Sequence, residues 1–190
     1  MLVLNNKLPG LAIISVQASR PIGKVTGWII DPRNLHILAL YAQPGGSDES
    51  RVLHTSDIRE FNNQGLLIDH DEQLMETEGL VRLQEVLKFD FKLLDKPVET
   101  DDGRRVGKVN SFAFDSLSWQ IMRLNVGQSV VKNMGASELI IHRQQIVKVT
   151  DNKIIVDSSR VKVKPKFSLR RMFFGARPAL EPDTIAAKKD

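Results

Sequence analysis

The sequence predicts an all-β protein built from two similar small β-barrels that a short helix-containing linker joins. Three observations predict this fold class. Short segments rich in Val, Ile, Leu and aromatic residues alternate with turn residues, one part of the chain repeats another, and residues 119–126 alternate apolar and polar side chains with a period of two. Together these observations predict short, bent antiparallel strands that close into a barrel or half-barrel in each copy.

The internal repeat determines the organisation of the chain. Residues 21–40 align with residues 105–124 without a gap, and after four additional residues in the second copy, residues 57–69 align with residues 145–157. The matched pairs include Gly23 with Gly107, Lys24 with Lys108, Val25 with Val109, Trp28 with Phe112, Ile30 with Phe114, Asp31 with Asp115, Ile37 with Ile121, and Leu40 with Leu124. We therefore predict two homologous β units.

The repeat also predicts where the units begin and end. The predicted regions are a first barrel over residues 1–70, a helical linker over 71–91, a second barrel over 92–159 and a C-terminal tail over 160–190. Turns are predicted at 31–34, 44–48, 62–65, 101–103 and 150–152, where Asp, Asn, Pro, Gly and Ser residues cluster. Gly23 and Gly107 lie inside strands, which indicates a bend or the close approach of another backbone.

The alternating strand predicts which side chains face the core. Its apolar residues are Met122, Leu124 and Val126, and its polar residues are Arg123 and Asn125. By the repeat, Leu38 and Leu40 should face the core of the first unit, and Ala39 and Tyr41 should lie outside.

The linker changes from strand to helix character. Leu80, Leu83 and Leu87 recur at helical spacing, which predicts a helix over about residues 79–88 with Thr77 as its N-cap. We expect its apolar stripe to pack against one or both barrels and to make the pair a single rigid body.

The first copy contains an ordered series of segments that resembles a known family. After an apolar strand come PIGKVTGWIIDP, HILALYA, RVLHTSDIREF and GLLID. The series resembles the PRC-barrel family, named for the cytoplasmic domain of the photosynthetic reaction centre H subunit and also found at the C-terminus of a ribosome-maturation factor. The resemblance covers residues 8–70 and 92–158; the second copy departs from it at 127–137 and at Gln145. It implies two tandem PRC-barrel-like domains that act in binding and assembly, without catalytic residues to carry over.

Composition excludes several classes of protein. The 190 residues carry 27 Lys and Arg against 23 Asp and Glu, a net charge of +4, and contain no Cys. Without Cys there are no thiolate metal sites, Cys nucleophiles or disulfides. Charged residues interrupt every apolar run before it reaches the roughly 20 residues of a membrane-spanning helix. The N-terminus does not resemble a secretory signal, and we expect a cytoplasmic, bacterial protein.

Residues that could support catalysis or metal binding are scattered. His36, His54, His70 and His142 stand singly, and the cluster at 69–72 is expected to be a solvated junction. The chain has no familiar nucleotide-binding or hydrolase motif. We predict no enzymatic activity, no cofactor and no metal site.

Phe112 and Phe114 could form a platform on which bases stack. Their repeat counterparts, Trp28 and Ile30, are also large and apolar, which favours a core position for both pairs.

The positive charge is concentrated near the C-terminus. Residues 1–159 carry a net charge of −2, residues 160–177 carry +7 without an acidic residue, and residues 178–190 carry −1. The predicted partner-binding residues are Lys162, Lys164, Lys166, Arg170, Arg171, Phe173 and Phe174. The same segment also suits a second arrangement, in which its Phe and Met side chains pack on the barrels and its cations face water.

These features predict a non-catalytic binding or adaptor module. The barrels would bind a protein partner, while the tail attaches to an anionic surface such as the inner face of the membrane or RNA. No small-molecule substrate is expected. Two alternatives remain open: an RNA- or ribosome-associated maturation factor, and a small enzyme with its site between the barrels.

Overall fold

The computed structural model describes residues 1–76, 81–127 and 138–161. These residues form an all-β fold with one small helix, which confirms the predicted fold class. In the first half the strands are β1 (Leu2–Leu4), β2 (Ala12–Ser15), β3 (Arg20–Asp31), β4 (His36–Pro44), β5 (Arg51–His54), β6 (Ile58–Phe61), β7 (Leu66–Ile68) and β8 (Leu74–Met75). Helix α1 (Val81–Leu87) follows.

The second half repeats this order. Its strands are β9 (Pro97–Thr100), β10 (Arg105–Asp115), β11 (Ile121–Gly127), β12 (Glu138–His142), β13 (Ile146–Val149) and β14 (Ile154–Val156). The first sheet has the strand order β6-β7-β2-β3-β4-β5-β8, and the second has β12-β11-β10-β9-β14-β13 with β1 added beside β10. In each sheet one parallel pair, β2 with β7 or β9 with β14, joins otherwise antiparallel strands. The five predicted turns all connect strands, and two of them begin on the last residue of a strand, Asp31 or Pro44.

The repeat extends to the irregularities of the strands. An extra residue interrupts the β3–β4 pairing at Thr26 and again at Leu38, and the β10–β11 pairing at the equivalent Asn110 and Met122. The β6–β7 and β13–β14 pairs are interrupted in the same way, at Arg59 and Val147. Because a bulge turns the following side chains to the other face of a sheet, matching bulges give both sheets the same bends.

The bulges overturn one prediction about the first sheet. Leu38 was expected in the core and Ala39 on the outside, but Leu38 is the bulged residue and lies outside the main core, whereas Ala39 is fully buried beneath α1. Met122 is displaced in the same way and is 39% exposed. A strict period of two cannot anticipate this change of phase.

Both strand glycines occupy tight positions, as predicted. A Cβ atom on Gly23 would lie 2.7 Å from the carbonyl oxygen of Gln43, and one on Gly107 would lie 2.1 Å from that of Gly127. These distances are shorter than real contacts, so only glycine allows the neighbouring backbone to approach this closely.

The two halves meet through equivalent residues. The amide of Ile37 donates to the carbonyl of Trp119 at 3.0 Å, and the amide of Ile121 donates to the carbonyl of Leu35 at 3.0 Å. His36 forms a β-bridge with Gln120, its own repeat counterpart. Because each contact is reciprocated at matching positions, an approximate twofold axis relates the halves, as in a symmetric dimer.

One hydrophobic core spans this axis. Trp28 contacts its counterpart Phe112 edge-to-face, with ring centroids 5.4 Å apart. Phe112 and Phe114 are both fully buried, which confirms their predicted core positions. Phe61 of the first half packs edge-to-face on Trp119 of the second at 6.0 Å. The halves are therefore held together by shared side chains.

Helix α1 covers the outer face of the first sheet. Leu83 and Val86 pack against Ile29, Ala39 and Val52 in a separate buried cluster. The observed helix falls within the predicted range, and the proposed N-cap Thr77 lies outside the described residues.

The N-terminal strand crosses to the second sheet. Although it belongs by position to the predicted first region, β1 pairs with β10. The side chain of Asn5 accepts a buried hydrogen bond from the amide of Phe112 at 3.0 Å, and the N-terminal amine lies 2.8 Å from Asp115 Oδ1. The sequence could not predict that β1 pairs with the second sheet, because β1 has only three residues and no counterpart in the repeat.

Candidate functional site

The seven partner-binding residues predicted in the tail all lie outside the described residues. The last described residue, Val161, is buried in the core. Before it, the carbonyl of Arg160 accepts a hydrogen bond from Gln145 Nε2 at 2.8 Å. The described part of the chain therefore ends beside the 3₁₀ turn Arg143–Gln145.

A groove between the halves runs close to this point. Its volume is about 680 Å³, and it lies between the first-half turn that contains Arg33 and Leu35 and the β11, 3₁₀-turn and β13 residues of the second half. The twofold arrangement creates the groove, because it places the β3–β4 turn of the first half against β11, the 3₁₀ turn and β13 of the second half.

Three cations line the groove. They are Arg33, Arg143 and Lys148, and none of its described lining residues is acidic. Among the described residues, no salt bridge involves Arg143 or Lys148. The groove therefore has a positive potential that is only partly neutralised from within the protein.

Arg33 is fixed by an acid that lies behind it. Its Nη2 is 2.8 Å from Asp31 Oδ2 and its Nε is 2.9 Å from Asp31 Oδ1, a bidentate pair. Hydrogen bonds from Arg33 hold the pKa of Asp31 below its ordinary value. This pair keeps the guanidinium at the groove wall.

Apolar side chains lie between the cations. Met122 and Val147 are 39% and 61% exposed, and both are the extra residues of β-bulges. The bulges thus aim two apolar side chains outwards, as bulges commonly do near binding sites. A ligand for this surface needs both negative charge and apolar groups.

The chemistry of the groove is specific to one side of the molecule. The repeat counterparts of Arg33, Arg143 and Lys148 are Leu117, Thr55 and Glu60. The twofold-related surface therefore lacks this set of cations. A comparison of the two copies in the sequence could have shown that these three cations occur in only one copy each. Only the twofold packing shows that the three positions share one surface.

Two other titratable groups, Lys96 and His36, have a pKa that burial shifts. Lys96 is buried: its Nζ donates to the carbonyl of Asp151 at 2.5 Å and lies 4.3 Å from the ring centre of Phe91. Burial lowers the pKa of Lys96. Burial also lowers the pKa of His36, and the charge of Arg143 acts in the same direction. The described part of the chain holds no cluster of three or more His, Asp or Glu residues that could bind a metal ion.

A shallower hollow of about 430 Å³ lies at the tip of the β3–β4 ladder, between residues 21–24 and 43–48. Close backbone approach at Gly23 shapes it, and it carries no convergent charged set. In the described residues no helix is long and apolar enough to cross a membrane.

The chain was compared with known proteins. No protein-family model matches it, and no curated protein does so.

Proposed function

We propose that this protein is a non-catalytic binding module, a tandem PRC-barrel-like adaptor that holds an acidic, partly apolar segment of a partner protein in the groove between its halves. The observation that carries the proposal is the set of Arg33, Arg143 and Lys148 around the exposed Met122 and Val147. Carboxylates of the segment would pair with the cations, and its apolar residues would cover the two bulge side chains.

The second part of the proposal concerns the tail. The tail would attach the module to an anionic surface through Lys162, Lys164, Lys166, Arg170, Arg171, Phe173 and Phe174, which accords with a cytoplasmic location at the inner face of the membrane. Support comes from the net charge of +7 in residues 160–177.

The groove is tested by a double charge reversal, Arg143→Glu with Lys148→Glu. The probe is a fluorescent peptide of alternating Glu and Leu, and binding is measured by anisotropy. We expect the dissociation constant to rise about tenfold or more, because each reversal replaces attraction with repulsion. The matched control is Lys7→Glu with Arg20→Glu, which changes the net charge equally at exposed positions away from the groove.

Equal affinities of the two variants would refute the groove as the binding surface. A single-stranded RNA is measured in parallel. If RNA binds more tightly than the peptide and loses affinity steeply with salt, the RNA-associated alternative replaces the protein-binding proposal.

A further inference from the structure

The two sides of the twofold axis differ in the side chains that lie between the halves. On one side, Phe61 of the first half contacts two rings of the second, Phe114 at 6.2 Å and Trp119 at 6.0 Å between ring centroids. Phe114 and Trp119 also stack on each other, with centroids 5.3 Å apart. Three aromatic rings therefore occupy the space between β6 and the β10–β11 turn.

The other side has aliphatic residues at the same three positions. By the repeat, the counterparts of Phe61, Phe114 and Trp119 are Val149, Ile30 and Leu35. The backbone of the two turns is alike at this point, since Leu35 and Trp119 both have a left-handed conformation, with φ of 51° and 56°. Leu35 and Val149 line the groove, and none of its described lining residues is aromatic. The groove thus lies where the twofold-related side holds aromatic rings.

Other residues of the groove suit an aromatic ligand. Met122 and Arg143 both line it, and no salt bridge among the described residues involves Arg143. A thioether sulfur interacts favourably with the edge of an aromatic ring, and a guanidinium interacts favourably with its face. The groove therefore offers an aromatic ring both space and favourable contacts.

We propose that the groove selects an aromatic anchor, a Phe or Tyr side chain of the acidic partner segment that inserts between Leu35 and Val149. This inference rests on the proposed function, because it concerns the same groove and the same segment. Acidic residues on either side of the anchor pair with Arg143 and Lys148. The chain's own tail does not match this site, because residues 160–177 carry a net charge of +7 without an acidic residue.

The test compares two fluorescent peptides on the full chain, one of alternating Glu and Leu and one in which a central Leu is replaced by Phe. Binding is measured by anisotropy. We expect the Phe peptide to bind about tenfold more tightly, because an aromatic side chain in a pocket supplies much of the affinity of an interface. This comparison uses the unaltered protein, so it does not depend on the folding of any variant.

A substitution from the twofold-related side provides the second measurement. Val149→Phe installs the residue found at the equivalent position, and the new ring has room because Phe61 fits beside the larger Trp119. We expect this variant to bind both peptides with equal affinity. The matched control is Val16→Phe, at a position that is 42% exposed in the β2–β3 turn, and it should keep the tenfold preference. A preference for the Phe peptide that persists in Val149→Phe would overturn the proposal.

Failure of this inference can be distinguished from failure of the proposed function. If Arg143→Glu with Lys148→Glu weakens the binding of both peptides but the unaltered protein binds them equally, the aromatic anchor is refuted and the groove remains the binding surface. If the charge reversal weakens neither peptide, the proposed function fails, and the anchor fails with it.

Two other occupants of the groove would give different results. If Phe side chains of the tail filled it, the triple variant Phe167→Asp, Phe173→Asp and Phe174→Asp would bind the Phe peptide more tightly than the unaltered chain. If a second copy filled it, the free protein would self-associate in analytical ultracentrifugation and Val149→Phe would abolish the association. Either result would overturn the proposal.

Discussion

The two halves of the molecule share a strand plan and its bulges, but they differ on their surfaces. In the first half α1 covers the outer face, and Asp31 is paired with Arg33. In the second half β1 extends the sheet, and the equivalent Asp115 is paired with the N-terminal amine. The interior positions at the twofold axis are similar in the two halves, whereas the surface positions differ. This difference places a cationic groove on only one side of the molecule.

The largest effect is expected from the residue pair on the axis. Phe112→Ala removes a fully buried ring that contacts Trp28 of the other half, and we expect a loss of about 3–5 kcal/mol in the free energy of unfolding. Urea denaturation followed by tryptophan fluorescence measures it, since Trp28 and Trp119 report on different halves. Leu117→Ala, at an exposed turn, serves as the control and should cost less than about 0.5 kcal/mol. If only one of the two tryptophans reported a loss of stability, the halves would not unfold as one unit.

The helix that covers only the first half should have the next effect. Leu83→Ala deletes a side chain of α1 that packs on the sheet and is 2% exposed, and we expect a loss of about 2–3 kcal/mol in the free energy of unfolding, measured by urea denaturation. Lys88→Ala, just beyond the helix, should change stability little. If Leu83→Ala were neutral, the packing of α1 would not contribute to the stability of the first sheet.

The two strand glycines allow the closeness of backbone packing in the two halves to be compared. Gly107→Ala and Gly23→Ala should each cost about 1–3 kcal/mol, and Gly107→Ala should cost more because its Cβ would come closer to a backbone oxygen, 2.1 Å against 2.7 Å. Thermal denaturation of both variants gives the order. Gly45→Ala, where the nearest atom would lie 3.7 Å away, is the control. A larger loss for Gly23→Ala than for Gly107→Ala would contradict the closer backbone approach at Gly107.

The smallest effect concerns the two equivalent aspartates. Hydrogen bonds from the N-terminal amine and from Ser118 lower the pKa of Asp115 to about 2. Because the folded-state pKa lies below the ordinary value of 3.8, the carboxylate stabilises the fold fully above about pH 4 and loses this contribution as the pH falls towards 2. Asp115→Asn should therefore cost about 1 kcal/mol at neutral pH and little at pH 2. Denaturation across this pH range checks it, with the exposed Asp48→Asn as control. A cost that does not depend on pH would contradict the ionic pairing.

Much of the fold could be predicted because it depends on local patterns. The repeat, the turns, the tight glycines and the core positions of Phe112 and Phe114 all follow from residue type and spacing. The position of Ala39 could not be predicted, because a bulge at Leu38 changes the strand phase without a distinctive residue.

The groove depends on contacts between distant parts of the chain. The cations of the tail could be predicted as a binding site because they are concentrated in one segment. Arg33, Arg143 and Lys148 are separated in sequence and stand among other charged residues, so no sequence pattern distinguishes them. Only the pairing of equivalent positions, such as His36 with Gln120, brings them to one surface. A prediction from one sequence had no signal for that pairing.

The central claim is that the halves form one body about a twofold axis, since the groove requires their fixed arrangement. Differential scanning calorimetry of the full chain tests it most directly. We predict a single transition whose calorimetric enthalpy equals its van't Hoff enthalpy. Two separate transitions, each with the enthalpy of about half the chain, would contradict the shared core and the groove built on it.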